Sequence, residues 1–247
     1  MNSMEATRFN ARERPARFAS VVVEELANDI VRGALPEGEI LPTEPVLCEQ
    51  FGFSRTVIRE ALKMLEERGL VRVEQGRGTT VQPRDMWNLL DPVVLRIALV
   101  YDDDLTLLDD LVEVRMLLER EMAIAAAARL TAAELGGLAE TIEGLEASYD
   151  DYERFRTFDQ RFHAIVMKAS RNEVGLTIVR VIHRHGDVTP PLAGVTTRSQ
   201  LERTVREHKG IHEALASGKG ELAGDRIAAH IESAWAERRR KGRRRRS

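Results

Sequence analysis

The chain has 247 residues, 43% hydrophobic and 31% charged, which is enough to bury a core in each of two ordinary domains and excludes a disordered or fibrous protein. No apolar run approaches the roughly 18–20 residues of a bilayer span, and the first 18 residues lack the apolar stretch of a secretory signal. A single cysteine, Cys48, excludes an internal disulfide framework, so we expect a cytoplasmic protein without membrane segments. The net charge of -3 is uninformative until it is mapped along the chain. Residues 238–246 (RRRKGRRRR) hold eight Lys or Arg and no acid. Residues 54–84 hold seven basic side chains (Arg55, Arg59, Lys63, Arg68, Arg72, Arg77, Arg84) against four acids, while the remainder is strongly acidic. A short positive block in an acidic protein is the footprint that phosphates select.

Residues 1–15 are polar without apolar period and read as a disordered arm. From Phe18, apolar residues at Val21, Val22, Leu26, Ile30 and Val31 recur at helical spacing up to Gly33. Pro36 to Gly38 is a turn, and Leu41-Pro42 is extended, because the residue before proline avoids the helical region. Thr43 is placed to cap a short helix to Phe51, with Pro45 in its first turn. After the break at Gly52, Ser54 caps a helix through Arg68 with Val57, Ile58, Ala61, Leu62 and Leu65 on its apolar face, and Gly69 ends it. The period then changes. Leu70 to Val73 and Thr79 to Val81 are β-branched runs flanking a Gly-containing turn, a hairpin signal. Three helices followed by a hairpin, residues 16–83, have the layout of a winged helix-turn-helix. Its third helix opens with Ser54-Arg55-Thr56 and reaches Arg59 one turn later, the residue types a recognition helix presents to bases and phosphates.

Residues 84–90 read as a linker. Asp91-Pro92 is a strong helix start, and from there to 237 every segment reads as helix, with Thr131-Ala-Ala-Glu134 forming a capping-box pattern and Asp150 with Glu153 a weaker one. The expected fold class is therefore mainly α: an N-terminal winged helix-turn-helix and a C-terminal all-α bundle over 91–237. The basic tail 238–247 is read as a disordered solubilising end, the alternative being added salt-sensitive affinity for DNA.

All six histidines follow residue 160. Asp159 and His163 stand i, i+4, on one face of a helix, which from spacing alone is a weak metal signal, since such pairs are more often surface neighbours.

The stretches Leu41-Pro42-Thr43-Glu44, Phe53 to Leu62 and Leu65 to Val71 together resemble the N-terminal signature of GntR-type regulators. The helical domain is similar to the ligand-binding (FCD-type) domain of the FadR subfamily. Residues 83–91 further resemble members that control sugar-acid catabolism, such as galactonate regulators. The resemblance implies a homodimeric transcription regulator, in our reading a metabolite-responsive repressor, bound to a two-fold double-stranded operator. It implies DNA contacts by Arg55, Thr56 and Arg59, with Ser54 capping near a phosphate and Gln75 and Gly76 at the wing tip; Arg77 joins them on charge grounds. Some relatives carry a DNA-contacting Arg at the position of Pro45, so operator preference here is expected to differ. The resemblance also implies that Asp159, His163, His208 and His230 bind a divalent metal, a donor set that suits Zn²⁺, Ni²⁺ or Mn²⁺. His212, i+4 from His208, is expected to face outward, and His183 and His185 not to be ligands. Arg115 matches a family arginine facing the same cavity, where it would hold an organic-acid effector; an interhelical ion pair is the alternative. A metalloenzyme using the Asp/His/His/His set, and an architectural DNA binder relying on the arginine tail, are the competing functions.

Overall fold

Helix α1 (Asn10–Val31) buries Val22, Val23, Leu26, Ala27 and Ile30 and ends at Gly33, whose φ of +79° only glycine adopts readily. The computed structural model describes residues 10–186 and 197–246. The expected arm of residues 1–15 therefore lies outside the described residues only up to residue 9, and α1 starts inside it. Ala, Arg and Glu favour helix without needing an apolar period. Helix α2 (Glu44–Phe51) starts at Thr43, whose side chain makes no capping bond, and closes on Gly52 at φ +70°. In α3 (Arg55–Glu67), Ser54 Oγ accepts from the Val57 amide at 3.5 Å, and the buried face is the expected Val57, Ile58, Ala61, Leu62 and Leu65. Strands β1 (Val71–Glu74) and β2 (Gly78–Val81) pair antiparallel, Val71 opposite Val81 and Glu74 opposite Gly78. The segment after the α1 turn adds a partial third strand through Leu41 N to Thr79 O (2.8 Å) and Val81 N to Glu39 O (2.9 Å).

Residues 84–90 are not a free linker. A 3-10 turn at Arg84–Met86 leads into Trp87 and Leu89, which pack on the head's apolar core; Trp87 Nε1 donates to Gln82 O at 3.1 Å and Asn88 N to Arg68 O at 2.9 Å. Helix α4 (Pro92–Val100) is capped by Asp91, which accepts from the Val93 and Val94 amides, as expected from Asp-Pro. Its Val94 and Ile97 complete the head core, and Arg96 pairs with Glu24 of α1. The chain accordingly divides into Met1–Tyr101 and Asp102–Ser247, later than the expected start of the second domain at Asp91. The displacement has a simple cause: α4 carries more apolar surface than a bridging helix could leave in water, and α1 offers it a matching face.

The second unit is helical throughout its described residues, matching the expected fold class: α5 (Thr106–Ala127), α6 (Ala132–Glu146), α7 (Tyr152–Ala169), α8 (Glu173–Gly186), α9 (Arg198–Ala216) and α10 (Gly220–Arg246). Thr131 and Glu134 form the capping box expected of α6, whereas α7 is capped by Asp151 through the Arg154 amide, not by Asp150. Helix α10 packs along α5 and α9, and the core between the helices is built on Phe162, Leu138, Leu145, Met167 and Ile211. The basic run 238–246 continues α10 rather than forming a separate disordered end. Arg and Lys are strong helix formers, and positive charge is favoured at a helix C-terminus.

Candidate DNA interface and metal centre

The head presents its basic side chains where the sequence placed them. Ser54, Arg55, Thr56 and Arg59 are exposed on the first turns of α3, on the side opposite its buried face. Arg59 Nε meets Glu44 Oε1 of α2 at 3.1 Å, an exposed pair of little energetic weight that a phosphate can displace. Gln75, Gly76 and Arg77 are exposed at the hairpin tip, where Gly76 sits at φ +80°. Pro45 lies in the first turn of α2.

In the second unit the helices bring together four groups that the sequence separates by as many as 71 positions. One ligand atom from each of Asp159, His163, His208 and His230 lies within 4.8 Å of all the others. His163 and His208 are fully buried and His230 nearly so, while Asp159 is the least buried, with 29% of its side-chain surface exposed. The rings pack on one another, His208 edge-on to His230 at 4.7 Å between centroids and His163 stacked on His230 at 5.3 Å. Each imidazole is tied by its Nδ1. His163 Nδ1 is 2.6 Å from Glu119 Oε2, His208 Nδ1 is 2.8 Å from Thr204 O, and His230 Nδ1 is 2.7 Å from Glu207 Oε2. A carbonyl accepts only, so His208 carries its proton on Nδ1, and the carboxylates set the same tautomer in the other two. That leaves the Nε2 lone pairs for the site. His163 Nε2 and His208 Nε2 are buried without a hydrogen-bond partner, although His208 Nε2 is 3.3 Å from Asp159 Oδ1. Buried polar atoms without partners are rare enough to require a reason. Three imidazole nitrogens and a carboxylate oxygen fit a divalent first-row ion: two bonds of about 2.0–2.1 Å laid end to end span about 4 Å, so donors confined to 4.8 Å close on one ion with small movements.

The electrostatics agree with this arrangement. Burial pushes the Asp159 carboxyl up, but His208, His163, His230 and Arg115 outweigh it and hold the group down at about 2. Burial and the neighbouring His230 push His208 down to about 4, against the pull of Asp159. Burial also lowers His163 despite Glu119 beside it. His163 and His208 are thus biased toward the neutral form and Asp159 toward the ionised one, the protonation states that metal ligands need.

The ion pair described for Arg115 is a local one. Its Nε meets Glu119 Oε1 at 2.6 Å, an i, i+4 pair within α5 rather than between helices. His183 stays out of the four-residue set but is not idle: its Nε2 is 2.7 Å from Glu119 Oε1. His212 is half-buried and outside the set, and the side chain of His185 lies outside the described residues. Glu119, Thr204 and Glu207 were missed. Glu119 stands i+4 from Arg115, a visible pair, but its contacts with residues 44 and 64 positions away have no local signal.

The description "Bacterial regulatory proteins, gntR family" matches residues 18–81, and the FCD domain matches residues 110–233. The chain belongs to the GntR family. Within it, the chain is 32% identical to the galactonate operon transcriptional repressor of Escherichia coli K12, over 82% of this chain and 88% of that protein. It is 28% identical to the HTH-type transcriptional regulator LutR of Bacillus subtilis 168, over 82% and 92%. Among solved structures, Lar, described as controlling expression of the Listeria monocytogenes agr system, superposes with a TM-score of 0.57 over 98% of this chain and 99% of that one, at 21% identity, a likeness of fold. A GntR head followed by an FCD domain makes the chain a DNA-binding transcription regulator, and the metalloenzyme alternative falls with that assignment. Among the described residues no helix is long and apolar enough to cross a membrane.

Proposed function

We propose that the chain is a cytoplasmic, metal-dependent repressor that releases its operator on binding a small organic acid, and that it controls a sugar-acid or related carbohydrate operon. The observation that carries this reading is the pair of buried, unpartnered Nε2 atoms of His163 and His208 converging with Asp159 and His230. These four residues would hold Zn²⁺, Ni²⁺ or Mn²⁺, which, when bound, supplies a Lewis-acidic position for an effector carboxylate. Arg115, 23% exposed and paired through its Nε with Glu119, would add a guanidinium to the same anion. The sugar-acid class follows from the name of the galactonate relative and the similarity of residues 83–91 to such regulators.

At the other end, a homodimer sets two α3 helices on a two-fold operator. Arg55 and Arg59 read bases or phosphates, Thr56 adds a polar contact, Ser54 lies near a phosphate, and Gln75, Gly76 and Arg77 approach the minor groove. The effector acts only through unequal affinity for two arrangements of the dimer, so operator and effector must weaken one another reciprocally.

The test is fluorescence anisotropy on an operator selected from random duplexes, with metal-loaded and chelator-treated protein, against a panel of aldonic and uronic acids. A member of the panel should weaken operator binding at least about fivefold, the lower end of typical coupling, and only in the metal-loaded protein. An acid that raises the melting temperature of the metal-loaded protein yet leaves operator affinity unchanged overturns the reading.

A further inference from the structure

Glu119 is fully buried, and it is the one carboxylate among the described residues that touches two imidazoles and a guanidinium at once. Its Oε2 takes His163 Nδ1 of α7, and its Oε1 takes both Arg115 Nε of its own helix and His183 Nε2 of α8. A buried carboxylate of this kind is costly unless every lone pair is used, and here both oxygens are spent on charged or dipolar donors from three helices. The other two tethers differ: Glu207, which also meets Ser233 and Arg203, is partly exposed and touches one imidazole, and Thr204 contributes only a main-chain oxygen.

From this geometry we infer that Glu119 is the positioning residue of the metal centre, fixing the His163 tautomer and ring orientation, while His183 and Arg115 hold Glu119 in place. The inference rests on the metal-binding reading above. The chain of causes runs from Arg115 and His183, through a carboxylate that cannot rotate without losing one of them, to a proton held on His163 Nδ1. The His163 Nε2 lone pair then points at the other donors with nothing else to bind. Outer partners of this type orient ligands and raise their basicity, and losing one weakens metal affinity by about 10–100-fold. It follows that His183, which is not itself a ligand, matters to the metal through Glu119.

Two measurements separate this inference from the reading it depends on. The first needs no metal. Long-range ¹H–¹⁵N spectra of the chelator-treated full chain should show the His163 proton on Nδ1, shifted in Glu119→Gln because an amide can also donate. A proton on Nε2 in the unmutated chain overturns the inference whatever the metal does. The second is titration of Zn²⁺ and Co²⁺ into the unmutated chain, Glu119→Gln and His183→Gln, with circular dichroism confirming the fold. Glu119→Gln should bind about 10–100-fold more weakly, with an altered Co²⁺ visible spectrum, and His183→Gln should lose less. If the unmutated chain binds neither ion, the metal reading fails and takes the inference with it. If it binds and Glu119→Gln binds equally well with the same spectrum, the metal reading stands and the inference is refuted.

Discussion

Gly69 follows the end of α3, and replacing it by alanine tests whether the strap that follows the wing is part of the head. The residue sits at φ +73°, and a Cβ built there would lie 2.0 Å from the Met86 carbonyl oxygen and 3.0 Å from its carbon. Both are backbone atoms, so no side chain can swing away. Gly33 provides the control: its φ is +79°, and nothing lies within 4 Å of its Cβ position. Gly33→Ala should cost only the left-handed strain, about 1–2 kcal/mol. Gly69→Ala carries the same strain and must also push residues 84–88 outward, giving up the Asn88 N to Arg68 O bond and loosening Trp87 from Gln82 O. With about 1 kcal/mol for each bond lost, the total reaches about 3–4 kcal/mol. Trp87 reports this locally, provided the second tryptophan, Trp235, is changed to phenylalanine in the background. Urea unfolding followed by Trp87 fluorescence should then separate the two alanine variants by about 2 kcal/mol. Equal losses at Gly33 and Gly69 would show that the 84–90 segment does not pack under the end of α3, and the reassignment of that segment from linker to head would be refuted.

Arg55→Ala should weaken operator binding by about 1–3 kcal/mol and lower the salt slope if the contact is to phosphate, or relax base preference if it is to guanine; unchanged affinity removes Arg55 from the interface. Zn²⁺ at 100 times its dissociation constant should stabilise the second unit by about 2.7 kcal/mol in calorimetry, and His208→Ala should abolish that gain. Without metal, the second unit should lose stability on acidification. His208 falls from its ordinary 6.5 to about 4 in the folded state, so the unfolded chain takes up the proton first, and stability drops as pH goes from 6.5 to about 4 by about 3 kcal/mol. Asp159, held at about 2, extends the loss below pH 3.8. A flat melting temperature between pH 7 and 5 in chelator contradicts the burial of these imidazoles.

Much of the architecture was legible because it depends on local rules. The apolar face of α3, the cap at Ser54, the Asp91-Pro92 start and the Thr131/Glu134 box are each decided within one or two turns, and each stands where the pattern put it. The differences each have a physical cause as well. The first turns of α1 and the basic end of α10 are helical without an amphipathic stripe, so periodicity had nothing to detect. Asp150 and Asp151 are adjacent acids, and one residue of slip at a helix start costs a pattern nothing. The 84–90 segment is polar enough to look like a linker, yet Trp87 and Leu89 pack on the head's core and Asn88 N bonds Arg68 O.

The metal centre divides along a different line. Asp159 and His163 form a visible pair, but nothing in their spacing distinguishes a ligand pair from surface neighbours; resemblance named His208 and His230, and packing then brought all four within 4.8 Å. Resemblance named Arg115 too, and there it was less informative, because a guanidinium pattern does not say which carboxylate it meets. One carboxylate it meets is Glu119, which in sequence looks like one half of an ordinary solvated i, i+4 pair. It is buried because α7 and α8 close over it, and that closure is a tertiary fact absent from any window of α5. A ligand can thus be guessed from its residue type, whereas the group that orients the ligand is defined only by what surrounds it. For this reason Glu119→Gln is more discriminating than removing any of the four donors. Loss of a donor would weaken any site, but loss of one negative charge at constant shape weakens only a site that depends on that charge.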